Sequence, residues 1–291
     1  MTPVTTAAER GRPARPQRTP RPVRAVQYVV LVGVAALFLG PLYWLVTTSL
    51  KPADEIYQAP PEFWPTTLTW ENFELAGQAA PFDLFFLNST FVTVVGTALK
   101  VMNAVLTAYA FVYLRFPFKN VLFLGVLGAM MVPGHVVLLP NYLTVASLGW
   151  INTYAGLIIP GIGSAFATFL MRQHFRTLPR EVTDAASVDG AGHLRTLWQV
   201  VLPMSRPMLI TVLVITAVEE WNQFVWPLIV TNTVQMRTLP VGLLLLKDQE
   251  GPTNWGTIMA GAALVLAPML VIFFVAQRWI IGGITAGAVK G

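Results

Sequence analysis

The chain has 291 residues, of which 55% are hydrophobic and only 11% are charged, with a formal net charge of +5. Ordinary soluble domains carry about 25% charged residues, so this composition argues against a water-soluble globular protein. Because one helical span needs about 20 apolar residues, the length allows six or seven membrane spans with modest loops. The sequence contains no cysteine, which excludes disulfides and thiolate metal sites. Its three histidines, His135, His174 and His193, lack metal-ligand spacing, and we expect no metal site.

Residues 1–24 form a polar stretch rich in proline and arginine. Such a composition cannot bury a core, so we expect a disordered, basic tail. The arginines suit a solvated segment that helps to orient the chain in the membrane, and lipid or nucleic-acid binding is the alternative. The apolar run that follows is too long for a cleaved signal peptide, and no small-residue cleavage site follows it.

Residues 25–291 contain six apolar stretches, and we expect each of them to cross the membrane as a helix. Strands are not expected because the sequence shows no succession of alternating segments of about ten residues. The expected spans are Val26–Val46, Leu84–Leu114, Val121–Leu139, Tyr154–Met171, Pro207–Val230 and Ile258–Ala276.

The distribution of Lys and Arg predicts the orientation of these spans. Six spans place both termini on one side of the membrane. Of the 19 Lys and Arg residues, only Lys51, Arg237 and Lys247 fall on the opposite side, and Lys100 lies inside the second span. The side that holds the other fifteen should be cytoplasmic. The sequence therefore predicts an all-α membrane protein with six transmembrane helices and both termini in the cytoplasm.

The polar segment 172–206 lies on the expected cytoplasmic side and is amphipathic in two pieces. Thr183 or Asp184 could cap a first short helix, and Gly190 allows a tight turn after it. In the second piece, apolar residues recur at helical spacing and predict an exposed ridge that ends before Pro203. A partner groove and the membrane surface fit this ridge equally well. The ridge residues are Leu194, Leu197, Trp198 and Val201.

This segment resembles the cytoplasmic coupling loop of bacterial ABC importer permeases, whose pattern is Glu-Ala-Ala, two residues, Asp-Gly-Ala and, further on, Leu-Pro. Here Asp184 replaces the usual Glu, which keeps the charge on a shorter side chain. In that family the loop docks in a groove of the ATPase subunit and transmits its motion. The resemblance implies this role for Asp184, Ala185, Ala186, Asp189, Gly190, Ala191, Leu197, Leu202 and Pro203.

The resemblance extends over nearly the whole chain after residue 25. Asn88-Ser89, Ala108-Tyr109-Ala110 and the terminal stretch 287–291 are similar to the maltose-type branch of carbohydrate permeases. Within that branch the chain is most similar to permeases of glycerol-3-phosphate and glycerophosphodiester importers. The stretches that carry this finer similarity are 167–175, 221–227 and 250–255. It implies the type I importer permease fold and import of glycerol-3-phosphate or glycerophosphodiesters.

The resemblance also implies a complex in the bacterial inner membrane. The expected partners are a second homologous permease, two ATPase subunits or a homodimer, an extracytoplasmic substrate-binding protein and the lipid bilayer, with no nucleic acid. No Lys is followed by Ser or Thr, so the chain lacks a phosphate-binding GKS or GKT loop. We therefore expect no catalytic residues and no cofactor bound by this chain, since ATP and Mg would be used by the partner ATPase.

Two alternatives for the function remain open. The first is the same architecture importing a disaccharide or oligosaccharide of the maltose or trehalose type. The second is a secondary transporter, although no internal repeat supports it. An intramembrane enzyme is disfavoured because no nucleophile–base constellation stands out.

Polar residues within the spans are the candidates for a substrate path. A buried ammonium costs a few kcal/mol, so Lys100 should contact a phosphate or pair with a carboxylate such as Glu220. Adjacent helical residues point about 100° apart, so Glu219 and Glu220 are not expected to face one cavity. Trp221, Asn222, Gln223 and Trp226 suit polyol recognition, with interhelical packing as the alternative. The proline–glycine pairs 133–134 and 160–161 should allow bends near a cavity.

Overall fold

The computed structural model describes residues 21–247 and 254–288, and this part of the chain is helical with no β-strand. The helices are α1 (Arg21–Ser49), α2 (Ala53–Ile56), α3 (Glu71–Ala79), α4 (Phe82–Tyr113), α5 (Lys119–Met130), α6 (Leu138–Ser147), α7 (Tyr154–Ile158), α8 (Ala165–Phe175), α9 (Arg180–Val188), α10 (His193–Thr196), α11 (Leu202–Met204), α12 (Arg206–Trp221), α13 (Val225–Val230), α14 (Leu239–Gly242), α15 (Leu244–Lys247) and α16 (Trp255–Ala288). Short 3-10 turns occupy Gly134–Val137, Ile159–Gly161 and Val234–Met236, and a π-helical turn occupies Leu197–Val201.

Some of the sequence predictions lie outside the described residues. Residues 1–20 of the expected tail are among them, but α1 begins at Arg21, so residues 21–24 belong to a helix. Residues 248–253, which include most of the 250–255 stretch, and residues 289–291 are also outside the described part.

Three helices are long and apolar enough to cross a membrane: Val23–Ser49 in α1, the whole of α4, and Trp255–Val275 in α16. Three further pairs of helices qualify only when they are taken together, because each pair is bent by more than 40°. The bends are 96° between Lys119–Met130 and Gly134–Ser147, 47° between Tyr154–Gly161 and Ala165–Phe175, and 87° between His193–Met204 and Arg206–Trp221. The described residues therefore hold three clear spans, or up to six if each bent pair counts as one.

The expected third, fourth and fifth spans are broken rather than continuous, and proline explains each break. Val132 precedes Pro133 and is therefore disfavoured in a helix. Pro160 lies in the 3-10 turn between α7 and α8. A continuous fifth span would bring the ring of Pro227 against the carbonyl of Gln223. In the structure α12 instead ends at Trp221, and α13 begins at Val225.

Contacts divide the chain into one unit of Met1–Trp44 and a second of Leu45–Gly291. In the first unit, the described side chains from Val23 to Gly40 are exposed. In the second unit, α4 packs against α8 and α12. Small side chains at Ala104 and Ala108 face this contact and allow the helices to approach closely. The core cluster around them also includes Val101, Val105, Tyr109, Ala167, Met171, Phe175, Leu197, Val201, Leu202 and Val212.

The segment between α1 and α4 is held by side-chain bonds to the backbone. The Glu55 carboxylate accepts hydrogen bonds from the backbone N–H groups of Thr66 and Thr67, at 3.0 and 3.1 Å. The Asn72 amide donates to the carbonyls of Ser49 and Lys51, at 3.1 and 2.7 Å. These bonds give the polar stretch 51–83 a defined structure although it contains only the short helices α2 and α3.

Candidate functional site

The segment that resembles the coupling loop contains a tight turn at its centre. Helix α9 is followed by Gly190 at φ +76°, a conformation that favours glycine. The Gly190 N–H donates to the Ser187 carbonyl at 3.1 Å, and the Ala191 N–H donates to the Ala186 carbonyl at 2.9 Å. These two bonds form a Schellman motif, which satisfies the last carbonyls of the helix. The predicted turn at Gly190 is confirmed.

The predicted cap of this first helix is wrong. Helix α9 begins at Arg180, directly after Pro179, and no side chain caps it. Thr183 and Asp184 lie inside the helix, where the Thr183 hydroxyl donates to the Arg180 carbonyl at 2.8 Å. Pro179 has the extended backbone that suits a position just before a helix, and it sets the start one turn earlier than expected.

The second piece of the segment continues from α10 through a π-helical turn into α11. Leu197 and Val201 are 1% and 0% exposed in the core against α4 and α8, whereas Leu194 and Trp198 are 67% and 61% exposed. The single exposed ridge predicted from the spacing is therefore wrong, because the chain's own core covers one side of this piece. Leu202 is buried as well, so Leu197 and Leu202 hold the segment in place and are not available to a partner.

The outer face of the segment carries most of the remaining residues assigned by resemblance. Asp184, Ala185, Asp189, Gly190 and Pro203 are exposed, and Ala186 is buried. The helix runs through Pro203 to Met204 instead of ending before it, and the π-helical turn Leu197–Val201 directly precedes α11. Exposed apolar side chains add to this face at Val182, Val188, Leu194 and Trp198.

A sharp corner joins the segment to α12. The 87° bend falls at Ser205, which is fully buried. Its hydroxyl donates to the Val201 carbonyl at 2.7 Å, and its N–H donates to the same carbonyl at 3.1 Å. Both groups are therefore fixed inside the protein at the corner between the segment and α12.

The breaks in the spans surround a cavity of about 620 Å³ in the second unit. It lies between the α5–α6, α7–α8 and α12–α13 breaks, and five of the six predicted path residues line it. These are Lys100, Glu220, Asn222, Gln223 and Trp226, together with Val92, Gly134, His135, Val137, Leu138, Asn141, Leu157, Pro160, Gly161, Gly163, Glu219, Phe224, Val225 and Pro227. The predicted association of the 133–134 and 160–161 pairs with a cavity is confirmed.

Lys100 and Glu220 form an ion pair that joins α4 to α12 at the cavity wall. The two residues are 9% and 7% exposed, and this is the one ion pair found in the described part of the chain. Glycines make room for it: a Cβ on Gly96 would lie 2.8 Å from Glu220 Oε2, and one on Gly161 would lie 3.4 Å from Lys100 Cε. Of the two alternatives for Lys100, the structure thus shows the pairing with a carboxylate.

The two tryptophans of the predicted path differ in position. Trp221 is buried away from the cavity, where its indole N–H donates to the Val265 carbonyl at 3.1 Å and its ring meets Phe86 edge-on. The structure therefore places Trp221 outside the cavity lining, in the core between α12 and α16. Trp226 lines the cavity, and its indole N–H donates to the Gly156 carbonyl at 3.1 Å.

Asn222 and Glu219 lie at the exposed end of α12. Asn222 caps the helix, and its amide donates to the Val218 carbonyl at 2.8 Å. Glu219 lines the same cavity as Glu220, so the expectation that the two glutamates face different surroundings is wrong. The expectation rested on the angle of about 100° between adjacent helical residues, but the cavity lining extends around the end of α12 and includes both side chains.

Sequence reasoning named Asn88 and Ser89 only as part of the family resemblance and missed their structural role. Asn88 accepts a hydrogen bond from the Tyr154 hydroxyl at 2.7 Å and donates to the carbonyls of Gln235 and Arg237, at 2.8 and 2.9 Å. The Ser89 hydroxyl accepts the Leu239 N–H at 2.7 Å. Asn88 and Ser89 therefore fasten the stretch 235–239 to α4. Their position inside an apolar stretch was a signal, but the partners 147 to 150 residues away were not visible in the sequence.

Comparison with known proteins agrees with this geometry. The profile of the family described as binding-protein-dependent transport system inner membrane component matches residues 100–285. The chain is 35% identical to the sn-glycerol-3-phosphate transport system permease protein UgpE of Yersinia pestis bv. Antiqua (strain Antiqua), covering 88% of this chain and 94% of that protein. It is also 35% identical to the UgpE of Escherichia coli O1:K1 / APEC, over 88% of this chain and 93% of that protein.

A solved structure shares the fold. A chain from the crystal structure of a bacterial ABC transporter involved in the import of the acidic polysaccharide alginate superposes with a TM-score of 0.81. The match covers 90% of this chain and 98% of that chain at 22% sequence identity, and it establishes the ABC importer permease fold. The chain belongs to the family of inner membrane components of binding-protein-dependent transport systems.

Proposed function

We propose that this chain is the permease subunit that carries sn-glycerol-3-phosphate or glycerophosphodiesters, such as glycerophosphocholine, through an ATP-driven importer. The support is the 35% identity over 88% of the chain to permeases named for sn-glycerol-3-phosphate transport. In this proposal the spans are α1, α4, α5 with α6, α7 with α8, α12 with α13, and α16, which gives six spans with both termini in the cytoplasm. The excess of Lys and Arg on that side supports the orientation.

The complex proposed for this chain contains a second homologous permease, two ATPase subunits and an extracytoplasmic substrate-binding protein. This chain binds no cofactor and hydrolyses no ATP. The exposed face of α9 and of the piece 193–204 enters a groove of the ATPase subunit. Its apolar side chains support this role, since Val188, Leu194 and Trp198 are largely exposed without a partner in the described residues. Leu197 and Leu202 anchor the same segment to the core from the other side.

Motion then passes from the ATPase to the cavity along a short route. Closure of the ATPase subunits on ATP displaces the coupling segment, and the buried corner at Ser205 turns this displacement into a movement of α12. Helix α12 ends at the cavity and carries Glu220, which is bound to Lys100 of α4. A shift of α12 against α4 therefore changes the shape of the cavity, as alternating access requires.

The second candidate substrate is a disaccharide or oligosaccharide carried by the same architecture. The ion pair favours it, because Lys100 is already bound to Glu220 and the cavity wall also offers the amides of Asn141, Asn222 and Gln223. Amide groups and the aromatic face of Trp226 are suited to hydroxyl-rich solutes.

The ATPase activity of the purified four-component complex tests this proposal. We expect sn-glycerol-3-phosphate and glycerophosphocholine to stimulate hydrolysis when each is added with the substrate-binding protein, and maltose and trehalose to have no effect. Stimulation by the sugars alone would show that the substrate is a sugar, and the assignment of the chain to an importer would stand. Lack of stimulation by all four compounds, with a complex that hydrolyses ATP at its basal rate, would remove the proposed substrate class.

A further inference from the structure

The cavity is lined by three charged side chains, and two of them neutralise each other. Lys100 is paired with Glu220, and both residues are buried. The third charged side chain is Glu219, which is exposed and has no ion-pair partner among the described residues. The remaining polar groups of the lining are neutral amides and His135.

The ion pair lies in a narrow space between Gly96 and Gly161, which we call the slot, and Lys100 is not free to bind a solute. On one side Gly96 lies so close that a Cβ there would be 2.8 Å from Glu220 Oε2. On the other side Gly161 lies against the Lys100 side chain, so that a Cβ on Gly161 would be 3.4 Å from Lys100 Cε. The wall that this chain presents to a solute therefore carries a net negative charge, and Glu219 is its source.

We infer that Glu219 is a specificity-determining residue that sets the charge preference of the cavity. A carboxylate in a partly enclosed space repels an anionic solute more strongly than it would in bulk water, because the effective dielectric constant is lower. It attracts a solute that carries a cationic group. As far as it concerns transport, this inference rests on the proposed function: Glu219 lowers the rate for a phosphate monoester relative to a phosphodiester whose charge is balanced.

The potential in the cavity can be measured without any assumption about the substrate. The chain contains no cysteine, so a Gln223→Cys variant carries a thiol that is unique in this chain and belongs to the same cavity lining as Glu219. In the assembled complex, its labelling rates by a cationic and by an anionic methanethiosulfonate reagent are compared, each divided by the rate with a free thiol. We expect the cationic reagent to be favoured. Adding Glu219→Gln should lower the cation-to-anion ratio about tenfold, as removal of one unpaired charge predicts.

Two control variants define the result. Glu219→Asp keeps the charge and should keep the ratio, whereas Glu74→Gln removes an exposed carboxylate on α3, outside the cavity lining, and should leave the ratio unchanged. A ratio that stays within about twofold after Glu219→Gln, below the effect of one nearby charge, would overturn the inference. A variant that fails to assemble is replaced by Glu219→Ser, to which the same criterion applies.

Uptake into proteoliposomes separates this inference from the proposed function. In the chain with the natural Gln223, Glu219→Gln should raise the ratio of sn-glycerol-3-phosphate to glycerophosphocholine uptake about tenfold. If the unaltered complex takes up neither compound while the reagent ratio responds to Glu219→Gln, the proposed substrate is wrong and the charge preference stands. If both compounds are taken up and neither ratio responds, the inference is wrong and the proposed function stands.

Discussion

Removal of the Lys100 charge is the perturbation whose outcome the structure defines most sharply. The Lys100→Met variant leaves the Glu220 carboxylate buried without its cation at the contact between α4 and α12. Breaking one side of a buried pair costs about 3–5 kcal/mol, because the remaining charge is uncompensated. Replacing both residues by methionine removes both desolvation penalties, and such exchanges are often neutral.

The assay is a double-mutant cycle on the thermal stability of the purified complex. We expect Lys100→Met and Glu220→Met each to lower the unfolding temperature clearly, and the double variant to recover most of the loss. Lys247→Met is the matched control, since Lys247 is exposed at the end of α15, and it should change the stability by less than about 0.5 kcal/mol. Equal losses that add in the double variant would refute the reasoning, because independent residues show additive effects.

Three further predictions concern the coupling segment and the ion pair. Gly190→Pro should abolish substrate-stimulated ATP hydrolysis while membrane insertion persists, because φ +76° is closed to proline; Gly192→Pro, at φ −69°, is the control and should retain stimulation. Trp198→Ala should weaken co-purification of the ATPase with little change in permease stability, whereas Leu197→Ala should cost about 2–5 kcal/mol in thermal unfolding; the reverse pattern would contradict the assignment of the two faces. Gly96→Ala should lower the unfolding temperature, since its Cβ meets the carboxylate of the buried pair, and unchanged or higher stability would show that the slot is not tight.

The sequence alone located the apolar stretches and the turn at Gly190. Local signals were sufficient there, because a run of apolar residues and a glycine after a helix are read from neighbouring positions. The family resemblance rested on the same kind of signal, the spacing of Asp184, Ala186 and Asp189 to Ala191. The family match over residues 100–285 confirms that resemblance.

Features that depend on distant contacts were not predicted. The spacing of Leu194, Leu197, Trp198 and Val201 suggested one ridge, but packing against α4 and α8 divides these residues between two faces. Only the three-dimensional arrangement shows which sides of a helix are covered.

The ion pair between Lys100 and Glu220 also depends on contacts between residues that are far apart in the sequence. Pairing with a carboxylate such as Glu220 was one of two interactions predicted for Lys100, and the two residues lie 120 positions apart in the sequence. The choice between a phosphate contact and a partner carboxylate required the packing of α12 on α4. Glu219 was not expected to share a cavity with Glu220, because adjacent helical residues point about 100° apart, but both residues line the cavity at the end of α12.

ATP-driven uptake is the most direct test of the central claim that this chain is the permease of an importer for phosphorylated glycerol compounds. The four-component complex is reconstituted into vesicles with the substrate-binding protein and radiolabelled sn-glycerol-3-phosphate outside the compartment and ATP on the ATPase side. The account predicts accumulation of label that requires both ATP and the binding protein, and its loss in Gly190→Pro. Accumulation that persists without ATP, or efflux in place of uptake, would contradict it.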